Sequence, residues 1–237
     1  MKKATYFYSI VEDEIDLSRI TDMGNGNERI ATVAEFVKSH LEAAAEKYPS
    51  PWHDPVYRWQ HTLRVSNYGK TIAEAEGADV ELSITACLLH DVAHFESEHD
   101  PKSHGRLGAK ISRPVLQEIG YSSEETENIC YAVALHVDGK ADFEHPETIE
   151  SKVVTDADNV DRFGAYRVLQ WCVPEMNEYE KLVEKLISRL ETLENYRGQQ
   201  LLETKTGQEL FDQQLDLQIN FFRQIITESE LTVLPRL

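Results

Sequence analysis

From about residue 30 onward, apolar positions recur at steps of three and four. In residues 30–47 (IATVAEFVKSHLEAAAEK), Ile30, Val33, Val37, Leu41 and Ala44 form one stripe, widened by Phe36. That is the period of a helix burying one face. The PWHDP stretch at 51–55 breaks the chain, and His53-Asp54 before Pro55 reads as a loop–helix junction. A long helix follows to about Glu76 and stops at Gly77; Asp79 reads as the N-cap of the next, whose far end is TACLLHD. Residues 95–102 (FESEHDPK) read as a polar loop. Residues 103–119 read as a helix kinked at Pro114 and closed by Gly120. Ser122 or Ser123, followed by Glu124, Glu125 and Thr126, opens another that runs to about His136. After a loop at 137–147, helical pattern returns at 148–171, and Pro174 breaks it. It resumes at 175–197, with Leu182, Val183, Leu186, Ile187, Leu190 and Leu193 on one face. A last stretch, 203–229, carries Leu210, Leu215, Phe222 and Ile226. Strand-like alternation is confined to residues 5–10. The pattern predicts an all-α chain in one compact unit: an N-terminal extension over 1–50, a helical domain over 51–173 and a C-terminal helical extension over 174–237. The C-terminal stripes read as core or as the seam of a homodimer.

Composition narrows the class. With 237 residues, 41% hydrophobic and 28% charged, the chain reads as an ordinary globular protein. Its formal charge of −18 argues against nonspecific nucleic-acid binding and against docking on anionic membranes. It leaves a phosphorylated small substrate open, because bound divalent metals reverse the sign of a site locally. Cys87, Cys130 and Cys172 are odd in number, widely spaced and without a CxxC pair, which fits a reduced, cytoplasmic setting. No secretory signal is legible before Glu12, Asp13 and Glu14, and no stretch approaches the ~20 apolar residues of a membrane span.

The chemistry must lie among nine His and a few well-placed Asp. In Cys87-Leu-Leu-His90-Asp91-Val-Ala-His94, a helix ending in adjacent His and Asp presents imidazole and carboxylate about 100° apart, able to share a cation. His94 follows His90 by four residues and Asp91 by three, so all three can address one pocket. Buried imidazole and carboxylate need partners, and a metal satisfies both. Taken alone, an HD pair reads more readily as a helix cap and an ion pair with arginine. Two further motifs change that. Upstream, Trp59-Gln-His61-Thr-Leu-Arg64-Val65 places His61, Arg64, Val65 and Tyr68 on one face; downstream lies Asp156-Ala-Asp158-Asn-Val-Asp161-Arg162-Phe-Gly164-Ala165.

The order His, His-Asp, Asp, embedded as HxxRV, LLHD and DADxxD, resembles the HD-domain superfamily of metal-dependent phosphohydrolases over roughly residues 52–171. The resemblance implies an HD-domain helical bundle with His61, His90, Asp91 and Asp158 as ligands of a divalent metal (Mn, Fe, Mg, Ni or Zn). Asp158 is chosen over Asp156 because the family's last ligand has an Asp three residues on, here Asp161; Asp156 then reads as a helix N-cap. Asp161 suits the role of orienting a ligand or Arg64, and Arg64 that of binding substrate phosphate or locking Asp161. His94 suits acid–base work near neutral pH. His104, in HGRLGA, and His136 resemble the histidines of members that bind two metals, and stand as ligands of a second ion or of substrate. Those members often carry paired histidines where this chain has His136-Val137. The implied activity is attack of metal-activated water at phosphorus in a nucleotide or another small phosphorylated metabolite. The other readings are a two-iron oxygenase of the same superfamily and a nucleotide-binding regulatory module. Lys102, Arg106, Lys110 and Arg113 read as a solvated basic face, and His40, His99 and His145 as surface residues.

Overall fold

The computed structural model describes residues 26–50, 53–97, 100–175 and 177–232. Among the described residues there are nine α-helices and no strand; the alternating stretch at 5–10 lies outside them. Helix α1 (Gly26–Lys47) turns its predicted stripe of Ile30, Val33, Val37, Leu41 and Ala44 into the core, all five buried. Helix α2 (Pro55–Glu76) begins at Asp54, whose carboxylate accepts the amides of Val56 at 3.0 Å and Tyr57 at 3.1 Å. It ends at Gly77, where φ of +74° is open to glycine. Helix α3 (Val80–Leu89) is capped by Asp79 and has every residue from Leu82 to Leu89 buried, so it runs through the middle of the molecule. Helices α1, α2, α5 (Ser123–Leu135) and α6 (Ile149–Arg162) surround it, and α4 (His104–Ile119) lies on α5.

Two small residues set how closely these helices approach. A Cβ on Gly69 would overlap the Cys87 sulfur, so glycine lets α2 lie close along α3. A Cβ on Gly105 would stand 2.7 Å from the Ala134 carbonyl oxygen and 2.9 Å from that of Val133, inside any tolerated contact between α4 and α5. The last three helices are α7 (Ala165–Cys172), α8 (Tyr179–Tyr196) and α9 (Lys205–Glu230). Helix α9 packs on α6 and α2, with α8 outside it. Their apolar cluster, with Leu186, Leu193, Phe211, Leu215 and Phe222, joins the main core through Tyr68 and Leu210, which border both.

Several elements differ from the sequence reading. The loop at 95–102 contains 3₁₀ turns at His94–Glu96 and Pro101–Ser103. Of the one or two helical segments read over 148–171, the structure has two, parted at Phe163 and Gly164. Ile187 is 43% exposed, outside the α8–α9 seam. Asp156 is not an N-cap: Thr148 caps α6, and Asp156 sits two turns in, about 200° around the helix from Asp158. There it accepts the amides of Glu203 (3.0 Å) and Thr204 (2.7 Å) and the Thr204 hydroxyl (2.7 Å). Burial holds its carboxyl above the usual range despite those donors. It anchors the start of α9. Nor is the basic stripe uniformly solvated. Lys102 precedes α4 in a 3₁₀ turn, and Arg106 is folded against Asp138 at 2.8 Å with 17% of its side chain exposed. His40 is likewise half-buried, 2.6 Å from Glu96.

Candidate metal centre

The nine residues singled out above gather at one place where α2, α3, α4, α5 and α6 meet. Helix α2 supplies His61 and Arg64, and the end of α3 supplies His90 with Asp91 just beyond. His104 opens α4, His136 caps α5, and α6 supplies Asp158 and Asp161. His61, His90, Asp91, His136, Asp158 and Asp161 are buried. His61 Nε2 lies 3.2 Å from His90 Nε2, 3.4 Å from Asp91 Oδ2 and 3.4 Å from Asp158 Oδ1. His90 Nε2 is 3.4 Å from the same Asp91 oxygen and 4.0 Å from the same Asp158 oxygen. Donors about 2.1 Å from one ion at right angles stand roughly 3.0 Å apart, so these separations suit a single cation among four ligands.

The other carboxylate oxygen of Asp91 faces a second group. Its Oδ1 is 3.1 Å from His104 Nε2 and 3.7 Å from His136 Nε2, and those two nitrogens are 3.1 Å apart. His94 Nδ1 stands 3.6 Å from the same oxygen. Asp91 thus lies between two clusters, one oxygen to each.

Hydrogen bonds on the far side of each ring decide what the near side can do. His61 Nδ1 donates to Asp161 at 2.7 Å, His90 Nδ1 to the Cys87 carbonyl at 2.7 Å, and His136 Nδ1 to the Val133 carbonyl at 2.7 Å. His104 Nδ1 donates to the Pro101 carbonyl. In a neutral ring whose Nδ1 carries the proton, Nε2 is a bare lone pair. With the rings neutral, two pairs of such lone pairs face each other at about 3 Å, a repulsive contact that a positive charge between them, a proton or a metal ion that replaces it, relieves. The donor chemistry fits divalent metal. Electrostatics lean the same way. Burial disfavours the protonated His61 ring, yet Asp158, Asp161 and Asp91 outweigh it and hold its pKa well above the usual value. Asp91 and Asp158 are held below the ordinary carboxylate range despite burial, Asp91 by Arg58, His90 and His94, and Asp158 by His61 and His90.

Around the ligands, Arg64 closes on Asp161 with Nε to Oδ1 at 2.6 Å and Nη2 to Oδ2 at 3.1 Å. This is the contact that a lock on Asp161 requires. Arg58 was missed by sequence reasoning. It precedes His61 by three residues, one turn back on the same face, and that register was its only signal. Its guanidinium donates to Asp91 Oδ2 through Nη1 and to His94 Nε2 at 2.6 Å through Nη2. Arg58 thus sets the orientation of the His94 ring, while the nearby Glu96 pairs with His40.

Residues 58–162 match the sequence profile of the HD domain. This stretch is an HD domain. Among curated relatives, the chain is 32% identical over 145 residues to ribonuclease Y of Alkaliphilus metalliredigens, spanning only 25% of that protein. It is 25% identical over 183 residues to YpgQ of Bacillus subtilis, spanning 82% of it. Among solved structures, YpgQ crystallised with ADP superposes with a TM-score of 0.59 at 20% identity, over 86% of this chain and 96% of that one. A predicted HD superfamily hydrolase from an uncultured Thermotogales bacterium superposes with a TM-score of 0.57 at 21% identity, over 82% and 92%. At these identities the superpositions establish a shared HD-domain fold. Among the described residues, no helix is long and apolar enough to cross a membrane.

Proposed function

We propose that this protein is a metal-dependent phosphohydrolase acting on a nucleotide or another small phosphorylated metabolite. The observation that carries the reading is the pair of inward-facing imidazole groups on either side of Asp91. His61, His90, Asp91 and Asp158 would hold one divalent ion; His104, His136 and the second oxygen of Asp91 would hold another. Ions bound there supply Lewis acidity toward a phosphate oxygen and lower the pKa of a coordinated water.

The chain's own residues do the rest. Asp161, clamped by Arg64, keeps the His61 proton on Nδ1 and so keeps Nε2 free toward the centre. Arg58 is always a donor, so its contact with His94 Nε2 places the His94 proton on Nδ1. That nitrogen is buried and has no hydrogen-bond partner, while facing the Asp91 side of the centre. It is placed to donate a hydrogen bond to a substrate oxygen. The Arg58 guanidinium beside it lies where charge on a transferring phosphoryl group would develop.

A small substrate is favoured over RNA, despite the ribonuclease Y likeness, because the chain is strongly acidic. The ADP held by YpgQ supports a nucleotide. The test is phosphate and pyrophosphate release from a panel of nucleotides and sugar phosphates with Mn²⁺ and with chelator. Metal-dependent release is expected, with Asp91→Ala losing bound metal and activity together while remaining helical. Silence from folded, metal-loaded protein overturns the proposal; two bound irons with oxygen consumption would then point to oxidative chemistry.

A further inference from the structure

A cavity of about 410 Å³ opens between the end of α6 and helices α7, α8 and α9. Its wall contains Arg162, Arg167 and Arg189 with Asn159, Phe163 and Tyr196, and none of the described residues lining it is acidic. In a chain of 42 acidic and 24 basic residues, that concentration of positive charge is against the average. Arg162 approaches Asp158 only at 3.9 Å, with 62% of its side chain exposed. Arg167 is bonded to neutral groups, Gln170 Oε1 at 3.0 Å and the Tyr57 hydroxyl at 3.5 Å. Arg189 lies with its guanidinium 5.3 Å from the centre of the Phe163 ring. Burial, and the like charge of Arg167, hold Arg189 below its usual pKa, with Tyr196 opposing.

We propose that this arginine-lined pocket binds the phosphate groups of a small polyanion, a pyrophosphate or nucleoside diphosphate, at a site separate from the metal centre. Guanidinium groups match phosphate oxygens in pairs and remain charged at every physiological pH. The volume lies within the range of small-molecule sites, roughly 300–1,000 Å³. The rings of Phe163 and Tyr196 in the same wall give a nucleoside apolar surface beside the phosphates.

The experiment is calorimetric titration of the full chain with inorganic pyrophosphate, and separately with ADP, in excess chelator so that the metal centre takes no part. Saturable binding is expected, at least tenfold weaker in Arg167→Gln/Arg189→Gln and retained in Asp91→Ala. Arg167 is exposed, so Arg167→Gln alone serves if the double variant fails to fold, and its affinity must fall. Tighter binding of ADP than of pyrophosphate assigns the nucleoside to the aromatic wall; equal binding assigns the site to phosphate alone. No binding at ~10 mM ligand, unchanged affinity in the arginine variants, or loss of binding in Asp91→Ala overturns the proposal.

Discussion

At the scale of single residues, the site turns on which nitrogen of each histidine carries its proton. Four rings are set by carbonyl or carboxylate acceptors so that Nε2 faces inward, whereas His94 is set the opposite way by Arg58. The four ligand rings and His94 should therefore respond differently to substitution. His94→Ala is expected to keep the bound metal and lower kcat by about 10²–10³, the range of one lost hydrogen-bond donor to developing charge. Arg58→Lys should fall between that variant and the native enzyme, since an ammonium cannot span Asp91 and His94 together. Metal content and steady-state kinetics on the same preparations separate these outcomes; loss of metal in His94→Ala would make it a ligand instead. That His61, His90, Asp91 and Asp158 belong together was legible through the HxxRV, LLHD and DADxxD motifs and their resemblance to the HD-domain superfamily. Arg58 was not, since a lone arginine one turn before a histidine looks like any solvated side chain. What reveals it is the separation in space between α2 and the end of α3, which no linear spacing encodes.

Individual helices hold these atoms in place through close contacts and anchors. Gly105→Ala would push α4 away from α5, carrying His104 from His136. It should destabilise the fold by about 1–3 kcal/mol and lower metal content toward one ion per chain, read by urea unfolding and elemental analysis. Asp156→Ala removes the carboxylate that receives three donors at the start of α9. A loss on the order of 2–3 kcal/mol is expected in the same unfolding assay, with metal content retained because Asp158 points the other way. Most helix spans could be read from periodicity, with Asp79, Gly77, Gly120 and the Ser122–Ser123 pair marking ends; the caps at Asp54, Thr148 and Thr204 emerged only from the structure. The role of Asp156 could not be read, because its partners lie 47 and 48 residues away.

For the molecule as a whole, a centre built from the ends of five helices makes metal a tie between them. With ions at about a hundred times their dissociation constant, binding contributes about 2.7 kcal/mol. For a chain of this size, chelator should lower Tm by roughly 5–10 °C, and restored Mn²⁺ should return it; an unchanged Tm would mean the helices need no ion to meet. The same packing gives each apolar cluster its own clock. All three cysteines are buried, Cys87 and Cys130 in the main core and Cys172 in the cluster beneath α7–α9. Burial pushes the Cys87 thiol far above its usual pKa and Cys130 to about 11, so a thiol reagent reaches these sulfurs only when the surrounding helices part. Labelling followed by peptide mapping would time the opening of the two clusters independently in one sample. Matched rates would make the chain a single cooperative body, while early capture of Cys172 would show the C-terminal helices breathing away from a metal-held centre that stays shut.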